Sequence, residues 1–127
     1  MATSKKSILI VEDDGIISTM YKAKFEEDGF NVFTAVDGVS GLDLVKKEKP
    51  DIVMLDIIIP GLDGFTVLEE IKKDPLLKST VVIMLTNLGT QEDKDKGHKM
   101  GAADYLVKAS LTPAEVSDKV KKLLKIK

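Results

Sequence analysis

Ile52-Val53-Met54-Leu55 leaves the chain least freedom. Four consecutive apolar residues, closed by Asp56 and a Pro60-Gly61 turn, read as a strand buried on both faces. Such a strand needs helices above and below it. Three further apolar runs behave alike. Ile8-Leu9-Ile10-Val11 stops at Glu12-Asp13-Asp14, residues 81–85 stop at Thr86-Asn87, and Tyr105-Leu106-Val107 stops at Lys108. Reactive groups thus gather where strands end. In an open parallel sheet those ends share one edge, and ligands bind there.

Helices alternate with these runs. The first is predicted over about 14–28, with Ile17, Met20, Ala23 and Lys24 at helical spacing and Gly29 as its stop. Residues 31–35 form a less apolar strand, which suits a sheet edge. Asp37 caps helix 2, which buries Leu42 and Val45 and ends before Pro50. Asp63 caps helix 3, with Phe65, Leu68 and Ile71 on one face and Asp74-Pro75 at its end. Helix 4, about 90–100, has no strongly apolar residue in its centre and carries Gly97. It should be the most weakly held helix. Thr112-Pro113-Ala114-Glu115 opens helix 5 as a capping box, with Val116, Val120, Leu123 and Leu124 as its apolar stripe. Five strands and five helices with short connections predict an α/β fold with a five-stranded parallel sheet, helices on both faces, and the common order 2-1-3-4-5. Strands 1 and 3 then lie side by side.

With 127 residues, one domain over 1–127 is expected, its core at about 7–125 and a tail at 1–6. A net charge of −2 without a long basic stretch argues against direct nucleic-acid binding. The sequence has no cysteine, which excludes disulfides and thiolate metal sites, and His98 alone cannot build a zinc site. His98 should face solvent. The N-terminus fits neither a signal peptide nor a membrane span, so a cytoplasmic location is the expectation. The apolar residues of helix 5 are accounted for by the core, so a monomer is expected, with phosphorylation-dependent dimerisation left open.

Glu12, Asp13 and Asp56 meet at the shared edge. Carboxylates ~5 Å apart repel by roughly 3 kcal/mol per pair at an effective dielectric near 20. Such a cluster persists with a cation, a shifted pKa, or both. Only oxygen ligands are on offer, so a hard ion is expected, and Mg²⁺ fits best. Lys108 adds positive charge on the far side of Asp56, and Thr86 adds a hydroxyl. Asp14 is read as a helix cap. Taken singly, Thr86 and Lys108 are ordinary surface or strand-end residues. Together at one edge with Asp56, they suit phosphoryl transfer to a carboxylate.

Val-Glu-Asp-Asp after strand 1, Asp56 with Pro60-Gly61 and Asp63-Gly64, Thr86 after strand 4, and Tyr105 three residues before Lys108 recur in order along the chain. Over essentially its whole length the sequence resembles the receiver domain of two-component response regulators. The resemblance implies that Asp56 accepts a phosphoryl group from a sensor histidine kinase or phosphotransfer protein. It implies Mg²⁺ on Asp13, Glu12, Asp56 and the Ile58 backbone carbonyl, and Lys108 on the phosphoryl oxygens. It further implies that Thr86 and Tyr105 switch the face of helix 4, strand 5 and helix 5 toward an output protein. No output domain fits in the chain. The receiver is therefore expected to bind a partner, to relay phosphate, or to be part of a longer regulator. It is not expected to be a turnover enzyme.

The sequence departs from the family pattern at two positions, Ala109 and Asn87. Ala109 follows Lys108 where proline is usual, leaving the geometry of that peptide bond open between cis and trans. Asn87 stands where a small residue is commoner, which narrows access to the phosphoryl. Ile58 and Leu88 are apolar at positions that tune aspartyl-phosphate hydrolysis, so slow self-dephosphorylation is expected.

Competing functions fit less well. A flavodoxin-like cofactor binder needs a phosphate-cradling loop after strand 1, and Glu-Asp-Asp repels phosphate. A haloacid-dehalogenase-type phosphatase needs a second aspartate at the position of Ile58. A degenerate receiver would lack one of the acids or Lys108.

Overall fold

The computed structural model describes residues 5–87 and 89–126. The expected tail therefore falls partly outside the described residues, as does Leu88. Strands β1 (Ser7–Val11), β2 (Asn31–Ala35), β3 (Ile52–Leu55), β4 (Val81–Thr86) and β5 (Asp104–Val107) alternate with helices α1 (Gly15–Glu27), α2 (Gly38–Glu48), α3 (Gly64–Lys73), α4 (Gln91–Lys99) and α5 (Pro113–Leu123). All strand pairs are parallel, in the order β2-β1-β3-β4-β5. The predicted architecture is the observed one.

Alternation along the strands divides the core. Leu9, Val11, Val53, Leu55, Val82 and Met84 point to one face, where α2 and α3 cover them with Leu42, Val45, Phe65, Leu68 and Ile71. Ile8, Ile10, Ile52, Met54, Ile83 and Leu85 point to the other, under Tyr21 and Phe25 of α1 and Val116 and Val120 of α5. Buried as they are on both sides, β1, β3 and β4 could not be polar on either face. Leu123 and Leu124 pack against this second cluster half-buried, at the C-terminal end of α5.

The helix starts are set by side chains. Asp14, Asp37, Asp63, Thr90 and Thr112 each accept a hydrogen bond from a free backbone N–H of the following first turn. Thr112 and Glu115 complete the reciprocal capping box.

The packed face of α1 differs from the expected stripe. Ser18, Tyr21 and Phe25 are buried, whereas Met20 and Ala23 are exposed and Ile17 and Lys24 are half-buried. Two aromatic rings one turn apart cover more of the sheet than Met20 and Ala23 could, and Phe25 stacks edge-on to Phe30. At the far end of α1, Asp28 accepts a hydrogen bond from the fully buried Ser117 of α5 and pairs with Lys24 and Lys121, both at 3.5 Å.

Helix α4 is thinly held, as its composition predicts. Its sole buried residue is Gly97. Lys96 lays its ammonium 4.3 Å from the centre of the Phe65 ring, and His98 is exposed. No helix among the described residues is long and apolar enough to cross a membrane.

Candidate phosphoacceptor site

The ladder continues one residue past each central strand. Glu12 donates its N–H to the Ala35 carbonyl at 3.0 Å, and Asp56 donates to the Val11 carbonyl at 3.1 Å. These bonds fix both residues at the sheet edge. The chain must then fold back through residues 56–63 to begin α3. Gly64 makes this possible, because a methyl group there would lie 2.3 Å from the carbonyl oxygen of Asp56. Gly64 in turn donates its N–H to the Ile57 carbonyl at 2.8 Å. Gly61, at φ 76°, supplies the left-handed corner after Pro60.

Glu12 and Asp56 are buried, and Asp13 is exposed. Each offers a carboxylate oxygen, and these three atoms lie within 4.8 Å of one another. The expected convergence of acids from the first and third strands is present. The Ile58 N–H donates to Oδ1 of Asp56 at 3.3 Å, and the Ile58 side chain is exposed. Asp14 turns away and caps α1 through Ile16 and Ile17, as expected of it.

Lys108 does more than face Asp56 from the far side. Its ammonium donates to Oδ2 of Asp56 at 2.7 Å and also to Oε2 of Glu12. β5 lies three places from β1 in the sheet, so only a long, flexible cation could span that gap. Nothing in the sequence indicated the second contact. Two carboxylates around one ammonium set the electrostatics. Burial holds the Glu12 carboxyl above its ordinary range, against the opposing pull of Lys108. Burial alone would lower the Lys108 pKa, but hydrogen bonds to Asp56 and Glu12 outweigh it and raise the pKa.

Lys108 opens a short 3₁₀ turn, Lys108–Ser110, and no peptide bond among the described residues is cis. The bond to Ala109 left open by the sequence is therefore trans. Thr86 ends β4 and is buried, paired in register with Val107. Tyr105, on the edge strand β5, is buried as well. Its hydroxyl pKa is pushed up to about 12, by burial first and then by the charges of Asp93 and Asp56. Asn87 is exposed and lines an open groove with Lys108, Ala109, Ile17 and Met20.

This edge holds three acids, a cation bonded to two of them, and a buried threonine at the end of the neighbouring strand. Oxygen ligands alone, in this number, suit a hard divalent ion.

Comparison with known proteins agrees with that geometry. Residues 8–121 match the family model for the response regulator receiver domain. The chain is 43% identical over 101 residues to the DNA-binding dual master transcriptional regulator RpaA of a Synechocystis strain, covering 80% of this chain and 42% of that protein. It is 37% identical over 120 residues to the alkaline phosphatase synthesis transcriptional regulatory protein PhoP of Bacillus subtilis, covering 94% of this chain and 49% of that one. The chain thus spans less than half the length of either. A response regulator crystal structure from Chloroflexus aurantiacus superposes with a TM-score of 0.89 at 33% identity, covering 96% of this chain and 99% of the other. A chemotaxis response regulator of Vibrio cholerae superposes with a TM-score of 0.87 at 27% identity, covering 94% of this chain and 98% of the other. By sequence and by fold, the chain belongs to the response regulator receiver domain family.

Proposed function

We propose that the chain is a phosphorylation-driven switch, with Asp56 as its phosphoacceptor. The observation that carries this reading is the convergence of Glu12, Asp13 and Asp56 around one edge, with Lys108 bonded to two of them. A carboxylate oxygen of Asp56 attacks phosphorus, the phosphorus–nitrogen bond to a donor histidine breaks, and an aspartyl phosphate forms. The donor is a sensor histidine kinase or a phosphotransfer protein.

Glu12, Asp13, Asp56 and the Ile58 backbone carbonyl would hold Mg²⁺. When bound, the ion offsets the negative charge gathered between carboxylates and phosphoryl oxygens. Lys108 is placed to follow the new charge, because it already bonds the accepting oxygen's carboxylate. The Thr86 hydroxyl supplies a further donor beside it. The phosphoryl group adds about −1.5 to −2 charges at this edge. Reversing a 1:99 equilibrium takes about 5.5 kcal/mol of differential interaction. Charge-assisted bonds to Lys108, Thr86 and the ion are of the right strength to supply it.

Thr86 and Tyr105 then bias the thinly held α4, and the α4–β5–α5 face meets an output protein. RpaA and PhoP are described as transcriptional regulators. The output surface here serves that kind of readout or another protein partner. The chain is a cytoplasmic phosphoacceptor, not a turnover enzyme.

The test is incubation with acetyl phosphate, with and without Mg²⁺, read by intact-protein mass. One phosphoryl group should be gained with Mg²⁺ and none in chelator. Asp56→Asn should gain none. A folded native chain that never gains mass would overturn the reading.

A further inference from the structure

Helix α4 touches the sheet through a residue that has no side chain. A methyl group at Gly97 would stand 3.3 Å from Cδ2 of Tyr105, 3.7 Å from Cγ of Met84 and 3.9 Å from Cβ of Ala102. Carbon atoms pack best at about 3.5–4.0 Å. The first of these contacts is tighter than that, so the Tyr105 ring would have to give way by a few tenths of an ångström, and the other two are ordinary van der Waals contacts. Gly97 lies in the body of a helix, where its backbone angles suit any residue, so no turn requires glycine here. Close approach does. Asp93 lies one turn before Gly97 on the same face, and its charge is felt at the Tyr105 hydroxyl.

We propose that Gly97 is a positioning residue for Tyr105. The space left by its missing side chain is the seat in which the Tyr105 ring rests, and it sets how closely α4 approaches β5. The seat itself is independent of phosphorylation. Its bearing on signalling rests on the phosphoacceptor reading: a ring displaced from the seat disturbs the Tyr105 packing through which the aspartyl phosphate would bias α4.

A double-mutant cycle tests the seat. Gly97→Ala is made in the native chain and in Tyr105→Ala, and all four proteins are unfolded in urea. Without the ring, alanine should raise the folding constant about fivefold through helix propensity. With the ring present, that gain should vanish or reverse. Should Tyr105→Ala fail to fold, Tyr105→Leu serves as the second background. A spectroscopic readout goes with it: in a Tyr21→Phe chain, Gly97→Ala should increase acrylamide quenching of Tyr105 fluorescence. Equal gains in both backgrounds, or unchanged quenching, would overturn the proposal.

Mg²⁺-dependent binding of beryllofluoride separates the two readings. Gly97→Ala should weaken it severalfold. If it binds the native chain and Gly97→Ala equally, the seat's bearing on signalling falls. If it binds neither while the cycle is non-additive, the seat stands and the phosphoacceptor reading falls.

Discussion

Lys108 holds its ammonium nitrogen 2.7 Å from Oδ2 of Asp56, with both side chains about nine-tenths buried. Glu12 shares the same nitrogen. Removing one partner of such a group strands the others, at about 3–5 kcal/mol for a buried pair. Lys108→Met should therefore lose about 3 kcal/mol near neutral pH in chelator, measured by urea unfolding. Added Mg²⁺ should restore more stability to this variant than it gives the native chain, because the ion replaces the lost charge. Native stability in chelator would show that the contact contributes nothing.

Gly64→Ala forces a methyl group against the Asp56 carbonyl and the Ile57 Cα, at 2.3 and 2.7 Å. Backbone cannot rotate aside as a side chain can. The expected loss is about 1–3 kcal/mol, seen as a lower urea midpoint. Phosphoryl uptake should slow as well, because the displaced segment carries Asp56. Uptake at the native rate would separate the turn from the chemistry.

Ile58 presents an exposed apolar side chain two residues beyond Asp56 and offers an attacking water no hydrogen bond. The aspartyl phosphate should accordingly persist for minutes or longer without a phosphatase. Ile58→Asn should shorten that lifetime in a chase by intact-protein mass. Loss of the native phosphate within seconds would contradict this.

Asp28 links α1 to α5, and its carboxyl is held below the ordinary value of 3.8 by the Ser117 hydrogen bond and then by Lys121 and Lys24. A depressed folded pKa stabilises above the unfolded value and is lost as pH falls through the folded one. Asp28→Asn should thus lower the urea midpoint at neutral pH, and the gap from native should close below pH 3.8. A gap independent of pH would mean that packing, not charge, joins the two helices.

Strands and helix starts were legible because their signals are local. Four-residue apolar runs, and Asp or Thr before a helix, act within one turn or one strand. The acids at the site were legible for a related reason: strand ends in a parallel sheet must share an edge, so Glu12, Asp13 and Asp56 could be brought together without coordinates. The buried face of α1 was not. Met20 and Tyr21 are neighbours in sequence, and only the sheet's surface decides which of two adjacent stripes turns inward. Aromatic residues one turn apart, Tyr21 and Phe25, were the available signal. The second contact of Lys108 and the seat at Gly97 depend on distances between elements, which no local pattern encodes.

Glu12 and Lys108 are bonded across 96 positions of sequence. During synthesis the ribosome releases Asp56 long before Lys108, so the nascent chain carries its acceptor without the cation that attends it. On the phosphoacceptor reading proposed above, competence for modification would come only once the last strand docks. On that reading, a chain ending before that strand would carry its nucleophile without the ammonium that Asp56 and Glu12 share.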